Sequence, residues 1–298
     1  MIYSTKLRNF ALANLKFNNL LMAIITLTTD FGIKDHYLAA VKGSIYTEIP
    51  EITIVDISHQ VTPFNYNEAG YIIKNAYHNF PKGTIHIIGV DAELSSDQQH
   101  VAILFNGHYF ICANNGILSI LCSEIHPEKI IEITTHQTAH DNFPVKTVFT
   151  KIACHLARGG NLDVIGRPFN QLKEVSHVTP VINTDETSIV GHIQYIDNYG
   201  NVITNINKEL ISRIAKGRAF KVNLRHFSFE VIYNSYGHCM AQTNLDKNSK
   251  DGKRIALFNS SNFLEIALYK SSLETGGASS LLGIKYRDTV SVTFYEKQ

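Results

Sequence analysis

Short apolar runs alternate with helix-length segments over the first half of the chain. Three runs have the length and β-branched content of buried strands: residues 23–28 (AIITLT), 52–58 (ITIVDIS) and 84–90 (TIHIIGV). Apolar residues at helical spacing predict helices between these strands, over residues 35–49 and 67–80. Because the strands are apolar throughout and alternate with helices, the pattern predicts an α/β domain with a mostly parallel sheet between helices.

The pattern changes twice further along the chain. The apolar runs VAILF and YFICA flank residues 106–108 (NGH), which predict a hairpin turn because Asn-Gly favours tight turns. Beyond about residue 175, seven short β-rich runs are separated by turn residues, which is typical of a small antiparallel sheet or barrel. We therefore predict an α/β N-terminal domain over residues 22–175 and a smaller C-terminal β-barrel-like domain over residues 186–298, joined by a polar linker.

The first 21 residues differ in character from the rest of the chain. They are mildly basic and rich in asparagine, and they lack the long apolar segment of a secretory signal. Met22 then begins the sequence MAIITLTTDFG, which resembles a chain start. We expect residues 1–21 to be an extension outside the fold.

Charge and cysteine content narrow the classes of function. The chain has 27 basic and 26 acidic residues, and this net charge of +1 disfavours a nucleic-acid partner. No apolar run reaches the ~18 residues that span a bilayer, so we expect no membrane partner. The four cysteines form no CxxC pair and have apolar neighbours. This favours buried thiols in a reducing compartment, and we expect a cytoplasmic protein.

Carboxylates follow the predicted strands. Asp30, Asp56 and Asp91 stand at or near carboxyl ends of strands, where ligands collect in parallel sheets. Asp30, in LTTDFG, suits a ribose diol because a carboxylate can accept two hydrogen bonds; a helix cap or turn explains it equally well. A second acid, Glu93, follows Asp91 by two residues.

Two polar stretches in the second half allow both a binding and a structural interpretation. In IDNYGNVITNI, Asn201 suits the edge of an adenine-like base and Tyr199 its face. Spacing alone favours a hairpin turn with Tyr199 in the core. The cluster Ser260-Ser261-Asn262 fits a carboxylate site or a turn equally.

The 14 histidines show no metal-ligand pattern. There is no HExxH, no HxH and no Cys/His pair at ligand spacing, so we expect no metal site. His59 and His155 are predicted to make structural hydrogen bonds.

Ten short motifs occur in order over about residues 23–296: TLTTDFG, the KG of AAVKGSI, IVDISHQVTPF, FPKGTIH, VDAELS, ANNGIL, ACHLARGG, IGRP, IDNYGNVITNI, and NSSNFLEIALYKSS with LLG after it. Through these motifs the chain resembles the S-adenosylmethionine (SAM) hydroxide adenosyltransferases, or SAM hydrolases, and the related fluorinases and chlorinases. The resemblance implies two domains, a homotrimer, and a ligand bound between neighbouring subunits. It also implies that water or hydroxide displaces methionine at the ribose 5′-carbon of SAM, giving adenosine, with no further cofactor. A sulfonium leaves readily, so positioning is the main task of such an enzyme.

The resemblance assigns roles to individual positions. Asp30 matches the acid on the ribose diol, and Phe64 matches an aromatic residue beside the ribose. Tyr199 and Asn201 match adenine contacts. Three further residues match positions near the methionine end: Asp35, Asp197 and Ser260.

The departures from the family pattern concern catalysis. The family typically reads VDPGVG, with an arginine seven residues after the aspartate and a histidine before the HLA helix. Here Asp91 is present, but the arginine position falls on Gln98 and the histidine position on Pro144. Lys146 and His140 lie close in sequence and are alternative substitutes. We expect Asp91 to position water, with Gln98 as an uncharged and therefore weaker partner.

These departures leave three alternatives open. The first is a SAM hydrolase that turns over slowly. The second is a protein that binds SAM or adenosine without turnover, which explains the loss of the arginine and the histidine. The third is a changed substrate, since Glu93 and the Ser260-Ser261-Asn262 cluster alter the polarity of the pocket. A halogenase is disfavoured, because the carboxylate of Asp91 repels a halide by roughly 4 kcal/mol at 4 Å and an effective dielectric of about 20.

Overall fold

The computed structural model describes residues 23–137, 141–175, 179–242, 251–272, 274 and 276–296. The described part of the chain divides into two compact units, which meet in sequence at residues 176 and 177. The predicted extension, residues 1–21, and His140 lie outside the described residues.

The first unit is built on a seven-stranded sheet. Its strands are β1 (Ile24–Thr29), β2 (Thr53–Ser58), β3 (Ile85–Gly89), β4 (His100–Phe105), β5 (His108–Ala113), β6 (Lys129–Ile133) and β7 (Gly166–Pro168). Its α-helices are α1 (Tyr37–Glu48), α2 (Tyr66–Ala76), α3 (Ile117–Leu121) and α4 (Thr150–Ala157). A π-helical turn over Val145–Phe149 runs directly into α4, and 3₁₀ turns cover Tyr77–Asn79 and Leu162–Val164.

The sheet is mixed rather than parallel throughout. The strand order is β2-β1-β3-β5-β4-β6-β7, and the first four strands pair in parallel. The last three strands pair antiparallel. The reversal begins at the predicted hairpin, where Asn106 and Gly107 have φ of 52° and 76°. Two positive φ values form the tight turn that joins antiparallel strands, so β4 runs against β5.

Helices cover both faces of this sheet, as the continuous apolar strands predict. Ile85 and Ile87 of β3 belong to a core cluster with residues of α1 and α4. Ile88 and Val90 belong to a separate cluster with residues of α2 and α3. Each fully buried side chain of this size stabilises the fold by roughly 1.5–3 kcal/mol relative to exposure.

A histidine pair is buried in the same sheet. His86 Nδ1 lies 2.7 Å from the hydroxyl of Thr26, and His86 Nε2 lies 3.2 Å from Nδ1 of His108. The His86 ring stacks on Phe110 with centroids 4.7 Å apart. Burial, and next the charge of His108, lowers the pKa of His86 to about 3. His86 is therefore neutral in the folded protein at physiological pH.

The second unit is an antiparallel, barrel-like sheet, as predicted. Its strands are β8 (Val181–Ile182), β9 (Ser188–Ile196), β10 (Val202–Asn207), β11 (Ala219–Leu224), β12 (Phe227–Phe229), β13 (Arg254–Phe258), β14 (Phe263–Leu268) and β15 (Thr289–Tyr295). Its helices are α5 (Lys208–Ala215), α6 (Tyr236–Gln242) and α7 (Ala278–Leu281). Strand β8, which pairs with β9, lies inside the stretch predicted as a linker.

The two edge strands of this second sheet approach each other. The strand order is β12-β11-β15-β9-β10-β14-β13, so β12 and β13 are its edges. The Arg254 guanidinium on β13 lies 4.9 Å from the ring centroid of Phe227 on β12, a cation–π contact. Tyr233 also forms a bridge to Leu257 of β13. These contacts cover strand edges that would otherwise invite pairing with another chain.

All four cysteines are free thiols, and three of them are buried: Cys112, Cys154 and Cys239. Burial raises the pKa of the Cys112 thiol, so it is inert as a nucleophile. Within the described residues, no helix is both long and apolar enough to cross a membrane.

We predict that His86 makes the fold sensitive to acid. Its folded pKa lies below the ordinary value of 6.5, so the unfolded chain binds a proton that the folded protein does not. The unfolding free energy should therefore fall as pH drops below 6.5, by up to about 1.4 kcal/mol per pH unit from this group. Urea denaturation of wild type and His86→Gln between pH 7.5 and 4.5 measures this slope.

The exposed His126 provides the matched control, His126→Gln. The slope should be smaller in His86→Gln and unchanged in His126→Gln. Equal slopes in wild type and His86→Gln would contradict the assignment.

Candidate functional site

A cavity of about 430 Å³ opens in the first unit. It lies at the carboxyl ends of β1 and β3, and its volume is typical of a site for a small ligand. Three carboxylate residues line it: Asp30, Asp91 and Glu93. The described lining residues include no lysine, arginine or histidine.

Asp30 and Asp91 lie close enough to influence each other. Asp30 Oδ2 accepts a 3.0 Å hydrogen bond from the backbone N–H of Phe64. Burial raises the pKa of Asp30, the backbone N–H groups of Phe64 and Asp91 oppose this rise, and the negative charge of Asp91 adds to it. The net pKa is raised, so the fold disfavours the ionised form of Asp30.

Asp91 has an unusual backbone conformation, and Gln98 contacts it there. Its φ of 44° is in the left-handed region, which residues other than glycine rarely adopt. Gln98 Nε2 donates to the carbonyl oxygens of Asp91 and Glu93, at 2.8 and 2.9 Å. Gln98 is not among the described residues that line the cavity. Gln98 and Asp91 are therefore neighbours, as predicted, but the Gln98 amide binds the backbone of Asp91 and not its carboxylate.

Aromatic side chains form much of the cavity wall. Phe64 lines it, is 70% exposed and has a φ of 63°. Phe31, Tyr37 and Phe143 pack on one another, with ring centroids 5.5 to 6.2 Å apart. Flat apolar walls beside carboxylates suit a ligand with both a ring system and hydroxyl groups.

Other residues predicted near this site have different outcomes. Pro144, at the position expected for a histidine, lines the cavity. Lys146 and Asp35 are exposed and lie outside the described lining. The roles of Lys146 and Asp35 therefore stay predictions.

In the second unit, Asp197 organises the turn between β9 and β10. Its Oδ1 accepts from the backbone N–H groups of Tyr199 (2.9 Å) and Asn201 (2.8 Å). Its Oδ2 accepts from Asn201 Nδ2 at 2.9 Å. The hairpin turn is thus real, but the Tyr199 side chain is 63% exposed instead of filling the core.

Asn201 continues into a buried hydrogen-bond chain that the sequence did not reveal. Asn201 Nδ2 donates to the Tyr236 hydroxyl at 3.3 Å, and that hydroxyl donates to Glu265 Oε1 at 2.7 Å. Glu265 is 5% exposed, and burial raises its pKa, with the charge of Asp197 adding to the effect. The sequence signal that could have indicated this chain is the single acid, Glu265, in the apolar run FLEIALY, most of which forms strand β14.

Ser260 lies in the turn between β13 and β14 and is exposed. Asn259 Oδ1 accepts from the backbone N–H groups of Ser261 and Phe263, both at 3.0 Å. Asn262 has a φ of 62°. The structure therefore shows the turn that was one of the two interpretations, and a carboxylate contact at Ser260 stays a prediction.

The two histidines for which structural hydrogen bonds were predicted, His59 and His155, both have such contacts. His59 Nδ1 lies 2.8 Å from the Thr29 hydroxyl, and His155 Nε2 donates to the Asn161 carbonyl at 3.1 Å. No group of three or more His, Cys, Asp or Glu side chains suited to a metal ion occurs in the part of the chain that the structure describes.

Comparison with protein families gives two matches. The model of the SAM hydroxide adenosyltransferase N-terminal domain matches residues 25–166, and that of the C-terminal domain matches residues 191–291. The chain belongs to the SAM hydroxide adenosyltransferase family. Each described unit contains one of the two domains of the family.

Individual proteins are similar to this chain over two thirds of its length or more. The (R)-S-adenosyl-L-methionine hydrolase of Methanocaldococcus jannaschii is 25% identical over 281 residues, which is 92% of this chain and 97% of that protein. A fluorinase of Nocardia brasiliensis is 25% identical over 232 residues, covering 67% of this chain and 77% of its own length. The crystal structure of an uncharacterized conserved protein from Thermotoga maritima superposes with a TM-score of 0.76 at 25% identity, covering 91% of this chain and 99% of that one.

We predict that replacing Asp30 weakens ligand binding without lowering the stability of the fold. A raised pKa means that ionised Asp30 is less favourable in the fold than in the unfolded chain, so stability falls as pH rises from 3.8 through the folded pKa. Asp30→Asn should therefore match or exceed the wild-type melting temperature at pH 7. If Asp30 accepts from a ribose diol, the same variant should bind adenosine roughly 10- to 100-fold more weakly.

Calorimetric titration with adenosine and thermal melts measure the two effects. The exposed Asp97 in the neighbouring loop gives a matched control, Asp97→Asn, which should bind as wild type does. Undiminished adenosine affinity in Asp30→Asn would refute the role of Asp30.

Proposed function

We propose that this protein hydrolyses SAM to adenosine and L-methionine. The observation that carries the proposal is the cavity lined by both Asp30 and Asp91, in a chain of this family. In the reaction, a water oxygen forms a bond to the ribose 5′-carbon while the bond from that carbon to sulfur breaks. The electron pair of the broken bond neutralises the sulfonium, and the water proton passes to Asp91 or to solvent.

The cavity supplies the positioning that this reaction needs. The Asp30 carboxylate accepts from the ribose diol, and Phe64 lies beside the sugar. Asp91 accepts a hydrogen bond from the attacking water and aims its lone pair at the 5′-carbon. Such alignment can contribute several kcal/mol to the rate, because a sulfonium leaves without protonation. SAM is the substrate in this scheme, and no further cofactor takes part.

The acidic lining favours water over a halide. Asp91 and Glu93 would repel an anion at the nucleophile position, by roughly 4 kcal/mol for one charge at 4 Å and an effective dielectric of about 20. The lining also lacks, among described residues, a cation to stabilise hydroxide. Turnover should therefore be slow, since a group that assists proton transfer contributes roughly 10²–10⁴-fold in rate.

We further propose a cytoplasmic homotrimer in which second-unit residues of a neighbouring subunit complete the ligand contacts. Tyr199 and Asn201 would hold adenine, and Asp35, Asp197 and Ser260 would lie near the methionine end. Large apolar side chains close in sequence to the cavity lining are exposed: Ile33 (71%), Phe64 (70%) and Leu94 (45%). Exposed apolar groups of this kind support coverage by another subunit. The free thiols support a reducing compartment.

A second candidate is a protein that binds SAM or adenosine without turning it over. It is favoured by Gln98 and Pro144, which occupy the positions where an arginine and a histidine were expected. In that case the cavity would bind adenosine in the same manner, but with no reaction.

The test is incubation with SAM in water enriched in ¹⁸O, followed by chromatography and mass spectrometry. We expect adenosine carrying ¹⁸O in its 5′-hydroxyl, equimolar methionine, and no 5′-halogenated product in chloride or fluoride. Asp91→Asn should lower kcat by roughly 10²–10⁴-fold without weakening SAM binding. Asp97→Asn, in the same loop, should match wild type.

Two results of this experiment would contradict the proposed hydrolysis in different ways. Folded protein that binds SAM but yields no adenosine above the buffer rate would exclude hydrolysis and leave the binding protein. Absence of both binding and turnover would exclude both candidates. Sedimentation analysis tests the trimer independently.

A further inference from the structure

Four successive backbone carbonyls at the end of β3 accept hydrogen bonds from side chains. They belong to Val90, Asp91, Ala92 and Glu93. We call these four residues the Asp91 loop. Side-chain donors on every residue of such a loop are unusual, because most hydrogen bonds to carbonyls come from other backbone groups.

Three side chains supply the donors. Asn115 Nδ2 donates to the carbonyls of Val90 (2.8 Å) and Asp91 (3.3 Å). Gln98 Nε2 donates to the carbonyls of Asp91 and Glu93. His100 Nε2 donates to the Ala92 carbonyl at 2.9 Å.

Two of these donors are themselves held by the core. Asn115 is 3% exposed, and its Oδ1 accepts from the backbone N–H of Ile117 at the start of α3. His100 is 1% exposed, and its ring meets Phe149 edge-on with centroids 4.8 Å apart. Burial lowers the pKa of His100, so the neutral ring carries one proton, and the carbonyl of Ala92 requires it on Nε2.

Gln98 is fixed within its own loop. It pairs with Ser95 through two backbone hydrogen bonds, of 3.2 and 3.3 Å. This pairing brings its amide back over the Asp91 loop. The three donors therefore approach the loop from β4, from the start of α3 and from the intervening turn.

The Asp91 loop needs such support. Asp91 has a φ of 44°, a conformation that a residue with a side chain retains only where its surroundings impose it. Asn115 and Gln98 bind the carbonyls of the peptide units on both sides of the Asp91 Cα, and His100 binds the next one. These contacts restrict the backbone of Asp91 and therefore the direction of its side chain.

We propose that Gln98, Asn115 and His100 are positioning residues that hold Asp91 towards the attacking water. This inference rests on the proposed hydrolysis. It gives Gln98 a role other than the expected one: it acts through the backbone of Asp91 and does not touch the water. An uncharged amide suffices for that purpose.

The chain supplies matched controls next to two of these residues. Gln99 has the same side chain, and its Nε2 donates to the Ser96 carbonyl at 2.6 Å, outside the Asp91 loop. Asn114 is 5% exposed, and its Nδ2 donates to the Gln171 carbonyl at 3.0 Å. Gln98→Ala with Gln99→Ala, and Asn115→Ala with Asn114→Ala, each compare the loss of one similar hydrogen-bonding amide.

The first measurement is steady-state kinetics with SAM. Gln98→Ala and Asn115→Ala should lower kcat by roughly 10- to 100-fold, because small misplacements of reacting groups have effects of that size. Their KM should change less than twofold, and Gln99→Ala should retain the wild-type kcat. Equal kcat in Gln98→Ala and Gln99→Ala, or an Asn115→Ala effect no larger than that of Asn114→Ala, would overturn the proposal.

A second measurement does not depend on turnover. Hydrogen exchange of the peptide containing residues 90–95 should quicken in Gln98→Ala and Asn115→Ala, and not in the two controls. If wild type lacks turnover, the proposed function fails, while this exchange pattern still decides whether the side chains hold the loop. Unchanged exchange in Gln98→Ala and Asn115→Ala would show that these side chains do not hold the Asp91 loop.

Discussion

The parallel pairing of β1 with β3 is the constraint on which the site depends. Thr29 lies opposite Gly89 at the last register position, so the chain leaves both strands at the same edge of the sheet. Asp30 follows one strand directly, and Asp91 follows the other after Val90. Because parallel strands end at one edge, two acids 61 positions apart in sequence come to line one cavity.

Placing two carboxylates together has an electrostatic consequence. Burial raises the pKa of Asp30 and the charge of Asp91 adds to the rise, so the cavity holds negative charge unfavourably. A sulfonium ligand would relieve this repulsion, whereas a halide would add to it. The same feature that lowers the stability of the fold therefore favours a cationic substrate, which is a common relation between binding sites and stability.

Sequence patterns were sufficient for the parts that depend on local periodicity. The seven β-rich runs of the second half and the alternating strands of the first half all appear as predicted, and so do the acids at the ends of β1 and β3. The hairpin at residues 106–108 was predicted, and with it one antiparallel pair, β4 and β5, in a mostly parallel sheet. The antiparallel pairing of β6 and β7 was not predicted, because apolar strand runs do not report direction. The roles of Gln98 and Tyr236 depend on which carbonyl or carboxylate each one reaches in three dimensions. No spacing in the sequence carries that information.

If Asp30 and Asp91 act on one nucleoside, a crystal of the protein soaked with adenosine should show both of them at its sugar. We expect the ribose 2′- and 3′-hydroxyls within hydrogen-bond distance of the Asp30 carboxylate, and the 5′-carbon facing Asp91. Adenosine bound elsewhere, or bound with its base rather than its sugar between the two carboxylates, would show that the two acids do not act together on a nucleoside.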